Sequence, residues 1–351
     1  MVDLLFVGLQ DEDRIGVFAI GSDNGRLAKQ GDVASPGGPS VMAISPDRQT
    51  LYVGHRTQPS IASYRIDANG GLSLLHSEAQ ADAPTFMAPD RSGRYLLCAY
   101  YQGGYAAVHP IAADGTIEAA VDKQETAIGA HAIATDPSNR FAFVPHIARV
   151  QDNVLEPPKN IPGPNEIRQF RFDADTGRLS PNTPARVEQP DMIGPRHYIH
   201  HPNLDVVYFS NEQGCSVTAY RLNPESGTLS PAQTLSTLPV GHSERATCSQ
   251  IHLTPSGRFL YVGNRAANSS SIAAFAVDAT TGALRAIGHA TTEPVPSAFC
   301  LDPEGRFLFA AGTASNRLAA YRIDQETGAL TSVGEGTIGR RPAAVLATSV
   351  G

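Results

Sequence analysis

The sequence predicts an all-β protein, a seven-bladed β-propeller with four-stranded blades and a ring closed by pairing of the N- and C-terminal strands. Three observations predict this fold: a phrase repeated along the chain, a nearly constant spacing between its copies, and terminal segments that complement each other. The composition agrees, because 32 glycines and 26 prolines in 351 residues supply many turns. No stretch shows sustained helical periodicity.

The repeated phrase reads Pro-x-Gly-Arg-Phe, an apolar strand, a polar tip, a second apolar strand ending in Asp, and then Thr-Gly-x-Leu. Clear copies begin at Pro255 and Pro303. Seven copies align on the residue that ends the strand after the Gly-Arg turn: Leu9, His55, Tyr100, His146, Asn211, Asn264 and Gly312. These residues are 46, 45, 46, 65, 53 and 48 positions apart, which is the spacing expected of propeller blades.

The two chain ends complete the pattern. Residues 4–8 have the character of a second strand, whereas residues 343–348 have the character of a first strand. Together they can make one blade, which would close the ring and cover both sheet edges. We therefore expect a single propeller domain over residues 1–351.

The fourth unit carries an insertion at about residues 150–166. It contains Pro157, Pro158, Pro162 and Pro164, and proline cannot donate to a β-ladder. We expect a loop at the tip of this blade. It is either a surface decoration or, as its position favours, a lid over one mouth of the propeller.

Charge and cysteine usage limit the partners and the compartment. A formal net charge of −7 argues against binding to nucleic acid or to an anionic membrane surface. The N-terminus lacks the basic flank of a signal peptide, and no apolar run approaches the roughly 18 residues of a membrane span. The four cysteines are isolated, which favours a reduced, cytoplasmic protein. We expect a monomer or weak homodimer.

Polar residues are expected to converge on one face of the propeller, close to its central channel. In each blade the innermost strand starts, and the next strand ends, on one face close to the central channel, so side chains from distant repeats meet in one bowl. The strand ends supply His55-Arg56, Tyr100-Tyr101, His146, Asn211-Glu212 and Asn264-Arg265. The strand starts supply His131, Arg196-His197 and Ser249-Gln250.

These residue types favour an anionic, oxygen-rich ligand. Arginine binds carboxylate or phosphate in a bidentate manner, and a carboxylate with histidines can serve as general base and acid. The set suits water addition to an ester carbonyl, with arginine stabilising the oxyanion. The alternatives are that Arg196 and Arg265 only form an ion network with Glu212, and that His131 and His146 only pack. Adjacent arginines disfavour a metal, and we expect no cofactor.

The motifs resemble those of a known family. Residues 194–212 contain Gly-Pro-Arg-His and Tyr-x-x-Asn-Glu, and residues 255–265 read Pro-Ser-Gly-Arg-Phe-Leu-Tyr-Val-x-Asn-Arg. The chain is similar over essentially its whole length to the seven-bladed propeller lactonases, which include propeller-type 6-phosphogluconolactonases, aldaric lactonases and the fungal carboxymuconate-lactonising enzyme. Unlike many members, it has Pro296-Ser297 and Gly312 in its seventh repeat.

The resemblance implies a metal-independent lactonase acting on a small anionic sugar lactone. It assigns the catalytic roles to Arg196, Glu212, Arg265 and a histidine, either His146 or His131, of which we prefer His146. The residues expected to bind substrate are His131, His197, Asn211, Asn264, Tyr100, Tyr101 and His55. The alternatives are a carboxymuconate-type cycloisomerase using the same bowl, and a non-catalytic propeller that binds protein partners.

Overall fold

A computed structural model describes residues 2–157, 159 and 161–351. In this part of the chain there are 27 strands and one short 3-10 helix, at Gln10–Glu12. The strands are β1 (Val2–Leu9), β2 (Arg14–Ile20), β3 (Leu27–Ala34), β4 (Pro39–Ile44), β5 (Thr50–His55), β6 (Ser60–Ile66), β7 (Leu72–Ala79), β8 (Phe86–Pro89), β9 (Tyr95–Tyr100), β10 (Tyr105–Pro110), β11 (Asp122–Glu125), β12 (Phe141–Pro145), β13 (Glu166–Asp173), β14 (Arg178–Glu188), β15 (Pro195–His200), β16 (Val206–Asn211), β17 (Ser216–Asn223), β18 (Thr228–Ser236), β19 (Thr247–Leu253), β20 (Phe259–Arg265), β21 (Ser271–Val277), β22 (Leu284–Thr291), β23 (Pro296–Leu301), β24 (Phe307–Gly312), β25 (Arg317–Ile323), β26 (Leu330–Thr337) and β27 (Pro342–Val350).

The strands form seven antiparallel sheets, which are the blades of a propeller. Blade 1 has the order β27-β1-β2-β3, and blades 2 to 7 follow in chain order from β4 to β26. Pairing of β1 with β27 joins the two chain ends, with Leu4 opposite Thr348, so the predicted closure is confirmed. Closure removes two exposed sheet edges.

Blade 4 departs from the four-stranded pattern. Its named strands are β12, β13 and β14, and its inner segment is attached only through isolated bridges from Ala130 to His146 and from Thr135 to Ala142. The inner segment still occupies the place of a first strand, so the seven-bladed ring is maintained. This looser segment carries His131.

The turn between the first two strands of a blade explains the Pro-x-Gly-Arg phrase. In blade 7 the Asp302 carboxylate accepts hydrogen bonds from the backbone N–H groups of Arg306 and Phe307, at 2.6 and 2.7 Å. Gly305 has φ +70, a conformation that glycine adopts without steric cost. The same carboxylate-and-glycine turn precedes β9, where Asp90 accepts from Tyr95 and Gly93 has φ +72.

The hydrophobic core is divided among the contacts between neighbouring blades. Seven buried clusters occur, and each joins two adjacent blades. Alternation along a strand sends successive side chains to opposite neighbours. In β1, Leu5 and Val7 pack towards blade 7, whereas Leu4 and Phe6 pack towards blade 2. The core therefore surrounds the axis and leaves the axial face for polar residues.

The insertion lies between the second and third strands of its unit, β12 and β13. It doubles back on itself: Val150 N–H donates to the Ile161 carbonyl at 3.1 Å, and Gly163 N–H donates to the Ala148 carbonyl at 2.8 Å. Pro158 and Asn160 lie outside the described residues.

Candidate active site on the propeller axis

His131 and Arg196 occupy equivalent positions in adjacent blades. Ala130 pairs with His146 in blade 4, and Pro195 pairs with Asn211 in blade 5. In each case the next residue along the inner segment, His131 or Arg196, is the one that points into the ring. Blade geometry thus brings together two side chains that are 65 positions apart in the chain.

Glu212 joins this pair from the end of β16. Its Oε2 lies 2.8 Å from Nε of Arg196, and its Oε1 lies 2.9 Å from a terminal nitrogen of Arg265. Nε2 of His131 is 3.9 Å from Oε2 of Glu212. The Glu212 side chain is only 4% exposed, so these charges interact in an environment that screens them weakly. Two guanidinium groups and one carboxylate leave an excess of positive charge.

Several polar side-chain atoms around Glu212 have no hydrogen-bond partner in the described structure. They are Nη1 of Arg196, Nε of Arg265, Nδ1 of His131 and Nε2 of His197, all buried. A buried polar group without a hydrogen bond is costly, and natural proteins retain it where a ligand or water completes the site. The unused hydrogen-bonding capacity is concentrated at one place on the axis.

Aromatic rings enclose the histidine side of the site. The His131 ring packs edge-on against His197 at 5.1 Å and against Tyr101 at 5.6 Å, measured between ring centroids. Burial, reinforced by the Arg196 charge, holds the pKa of both His131 and His197 well below the usual range. Both imidazoles are therefore neutral at neutral pH. Burial also raises the pKa of Tyr101 to about 12.

Burial and the neighbouring Arg265 charge lower the pKa of Arg196 to about 10. At neutral pH Arg196 still carries its proton, because this value lies well above 7. The terminal nitrogen of Arg265 that reaches Glu212 also donates to the Cys248 carbonyl at 2.8 Å, which fixes the direction of the guanidinium. The two arginines are thus positioned before any ligand arrives, which reduces reorganisation on binding.

A cavity of about 490 Å³ opens next to Arg265. Blade 7 contributes Ser297 and Thr313, and the insertion contributes residues 152–155. Two further arginines, Arg56 and Arg341, line its wall. The volume is in the range of small-molecule sites.

The structure brings together only part of the residue set expected from the sequence. Arg196, Glu212, Arg265, His131, His197 and Tyr101 surround one region of the axis. The other five expected residues form no side-chain hydrogen bond or ion pair with Glu212 in the described structure: they are His55, Tyr100, His146, Asn211 and Asn264. All five are buried, and none of them lines the cavity beside Arg265.

The hydrogen bonds of His55, Tyr100 and Asn264 show what surrounds these buried side chains. Both ring nitrogens of His55 contact serine hydroxyls, Ser35 at 2.8 Å and Ser60 at 3.0 Å. The Tyr100 hydroxyl donates to Oε1 of Gln80 at 2.8 Å. Asn264 donates to the Thr237 carbonyl and accepts from the Thr237 hydroxyl. These contacts connect neighbouring parts of the fold, and His55, Tyr100 and Asn264 are not among the residues that line the cavity.

Asn211 and His146 are also buried, but some of their side-chain polar atoms have no hydrogen-bond partner in the described structure. The amide of Asn211 donates to Ser216 and Thr218, both at 2.9 Å, while its oxygen has no partner. Neither ring nitrogen of His146 has one in the described structure, and no ion pair joins His146 to Glu212 there. Of the two candidate histidines, His131 is the one beside the carboxylate.

Arg341 and the acidic part of the insertion were not expected at the site. Arg341 precedes β27, just before a Pro residue, in the place where Gly38 and Gly194 precede their own inner strands. An arginine in a position that blades 2 and 5 fill with glycine was the available signal. The acidic residue of the insertion that lines the cavity, Asp152, bonds to Arg245 and lies 3.6 Å from Arg149.

Metal-ligand geometry and membrane-spanning character are not features of the described structure. No group of three or more His, Cys, Asp or Glu side chains in residues 2–157, 159 and 161–351 is arranged to hold a metal ion. None of the helical residues in that part of the chain forms a segment long and apolar enough to cross a membrane.

A seven-bladed propeller with an arginine-rich axial site is the class of protein that this fold and site define. Comparison with known families refines it: the family described as lactonase, 7-bladed beta-propeller, matches residues 4–347. The chain belongs to this lactonase family, as the resemblance of its motifs predicted.

Individual relatives agree with this assignment. A protein of Pectobacterium carotovorum named 6-phosphogluconolactonase is 34% identical over 318 residues, covering 91% of this chain and 90% of its own length. A Serratia proteamaculans protein of the same name is 33% identical with the same coverage. Among solved structures, the periplasmic gluconolactonase of Pseudomonas aeruginosa superposes with a TM-score of 0.88 at 25% identity, covering all of both chains.

Proposed function

We propose that the protein hydrolyses the lactone of an acidic sugar at the Arg196–Glu212–Arg265 site, without a metal. The observation that carries the proposal is the Glu212 carboxylate between two guanidiniums that each retain an unpaired N–H group. The family match and the names of the relatives support lactone hydrolysis as the reaction.

Hydrolysis would proceed by addition of water to the ring carbonyl. As the water oxygen bonds to the carbonyl carbon, the carbonyl oxygen becomes an oxyanion. The free N–H groups of Arg196 and Arg265 are the donors that would stabilise it, and donors fixed before the reaction are the effective ones. The arginines therefore serve the transition state, while Glu212 holds them in place.

The proton of the attacking water would pass to His131. This imidazole is neutral at neutral pH, so it has a free lone pair, and Glu212 lies 3.9 Å away to stabilise the imidazolium that forms. Breakage of the ring C–O bond then releases an alkoxide, which takes the proton back from His131. The product is the open hydroxy acid, and the atoms balance with one water consumed.

The test is hydrolysis of gluconolactone, 6-phosphogluconolactone and glucarolactone above the uncatalysed rate, by wild type and Arg196→Ala. We expect kcat/KM to fall at least about 100-fold in the variant, since loss of one oxyanion donor costs that much in other enzymes. Arg178→Ala, a change to an exposed arginine on β14, is the matched control. Equal rates for wild type and Arg196→Ala would contradict the site assignment.

Two further measurements separate the alternatives. Activity that survives a chelator agrees with a metal-independent reaction, and loss of activity contradicts it. Consumption of carboxymuconate, followed by ultraviolet absorbance, without any lactone hydrolysis would indicate a cycloisomerase. Stable protein partners with no turnover of any of these substrates would indicate an interaction scaffold.

A further inference from the structure

A second pair of arginines lines the cavity beside the proposed catalytic cluster. Arg56 follows β5 and Arg341 precedes β27, so they come from blades 2 and 1. Within the described chain no carboxylate oxygen lies within 4.0 Å of either guanidinium, whereas Arg196 and Arg265 both contact Glu212. Both arginines are exposed, and both line the same cavity, so their positive charges face one space.

The backbone of Arg341 is held in a conformation that favours glycine. Its φ is +49, and the matching residues of blades 2 and 5, Gly38 and Gly194, have φ +75 and +66. A residue with a side chain is uncommon in this region, and such outliers are concentrated at functional sites. The conformation is maintained by hydrogen bonds: Arg341 N–H donates to Oδ1 of Asn316 at 2.9 Å, and its carbonyl accepts from Gln10 N–H at 3.1 Å.

The cavity connects this pair to the catalytic cluster. Arg265 lines the cavity and also contacts Glu212, so it belongs to both. Asp152 on the wall is bonded to Arg245, and Arg265 is bonded to Glu212. Two arginines and one carboxylate, Asp11, then remain without an ion-pair partner in the described structure, which leaves the wall with a net positive charge.

Two arginines that line one cavity, with no carboxylate oxygen of the described residues within 4.0 Å of either, favour an anion that binds both. Guanidinium groups match the geometry of phosphate and carboxylate oxygens, and two of them can hold one such group by several charge-assisted hydrogen bonds. We propose that Arg56 and Arg341 form a second anion subsite, which binds a phosphate or carboxylate group of the substrate remote from its lactone ester. This inference rests on the proposed function, since it names the substrate class that the site would select.

The test compares substrates that differ in the remote group. Gluconolactone has none, 6-phosphogluconolactone has a phosphate, and glucarolactone has a carboxylate. In Arg341→Gly, which supplies the residue used at this position in blades 2 and 5, kcat/KM for an anionic lactone should fall at least tenfold more than for gluconolactone. Arg56→Gln should do the same. The substrate that suffers the larger loss identifies phosphate or carboxylate as the preferred group.

Arg340→Gln is the matched control, because the neighbouring Arg340 is exposed and bonded to the Asp11 carbonyl instead of lining the cavity. It should leave the preference among the three lactones as in wild type. An unchanged preference in both Arg341→Gly and Arg56→Gln, with wild type active, would overturn the subsite and leave the lactonase proposal standing.

If wild type opens none of the lactones, the proposed function is overturned. Anion binding still tests the second subsite in that case. Titration calorimetry with inorganic phosphate should then show binding to wild type at least tenfold tighter than to Arg341→Gly and Arg56→Gln. Equal binding by the three proteins, or no binding to wild type, would overturn the second subsite.

Discussion

Nε of Arg196 lies 2.8 Å from Oε2 of Glu212, with both side chains almost fully buried at the axial end of blade 5. Arg196 starts its inner strand and Glu212 follows the strand paired with it, so the β15–β16 ladder fixes the distance between them. An ion pair of this kind contributes little net stability relative to an apolar pair, but removing one partner leaves an uncompensated buried charge.

Glu212→Ala should therefore destabilise the fold as well as the site. With the carboxylate gone, Arg196 and Arg265 face each other without a counter-charge, and we expect the free energy of unfolding to fall by about 3–5 kcal/mol. Urea unfolding followed by circular dichroism measures the loss. Glu304→Ala removes a 65% exposed carboxylate that contacts Arg306, and should change stability by less than about 1 kcal/mol. Similar small losses in both variants would contradict a tightly coupled buried cluster.

His131→Gln should lower kcat more than His146→Gln does. Only His131 lies beside Glu212, and proton transfer by a positioned side chain typically contributes about 10²–10⁴-fold. Steady-state hydrolysis of the preferred lactone at neutral pH measures both variants, with His76→Gln on an exposed part of β7 as the control. A greater loss in His146→Gln would restore His146, the histidine preferred from the sequence, as the proton acceptor.

The strand ends show why the sequence did not separate the residues around Glu212 from their buried neighbours. Repeat spacing and closure follow from the pattern itself, so the seven blades could be predicted. The alignment, however, used the last residue of each second strand. At that position His55, Tyr100 and Asn264 are buried and form hydrogen bonds with other parts of the fold. The following residues, Arg56, Tyr101, Glu212 and Arg265, face the axis or its cavity. One position reverses the direction of a side chain in a strand, and the sequence alone does not fix where each strand ends.

Arg341 illustrates a second limit of predicting site residues from the sequence. It lies in a linker outside the repeated phrase, and only the pairing of Pro342 with Leu9 shows that it enters the cavity beside Arg56. By contrast, Arg196, Glu212 and Arg265 could be chosen because charged residues are unusual at blade ends. Their meeting depends on the packing of blade 6 against blade 5, which follows from the predicted order of the repeats around the ring.

Stability should fall as the solution becomes acidic, because several histidines are buried in neutral form. Burial, reinforced by the Arg168 charge, lowers the pKa of His146 to about 3, from an ordinary value near 6.5. Between these values the unfolded chain binds the proton and the folded chain does not. The stabilisation is complete above about pH 6.5 and is lost as the pH falls towards 3, with a slope of up to about 1.4 kcal/mol per pH unit for this one site.

His146→Gln should accordingly give a shallower dependence of unfolding free energy on pH than wild type. Urea unfolding between pH 7 and pH 4 measures the slope. His252→Gln is an independent comparison, since burial lowers the pKa of His252 to about 4 and its effect should appear over a narrower range. Parallel curves for wild type and both variants would mean that these rings do not remain neutral in the folded protein.

Arg245 should control how firmly the insertion covers the cavity. Its guanidinium bonds to the Asp152 carboxylate and donates to the carbonyls of Asn153 and Glu156 at 2.8 and 2.6 Å. The Tyr101 hydroxyl accepts from Gln151 N–H at 2.7 Å, which is a further anchor of the insertion close to the site. Arg245→Ala removes three contacts at once, so residues 152–156 should exchange amide hydrogens faster and trypsin should cleave sooner after Lys159.

If the insertion acts as a lid, loosening it should raise KM for the lactone more than it lowers kcat, because the lid adds to the wall that holds the substrate while the proposed catalytic cluster remains intact. Hydrogen exchange with mass spectrometry and steady-state kinetics measure the two effects on one preparation, with Arg178→Ala as the control. Faster exchange with unchanged KM would show that the insertion is a surface decoration. Unchanged exchange would mean that contacts other than those of Arg245 hold the loop in place.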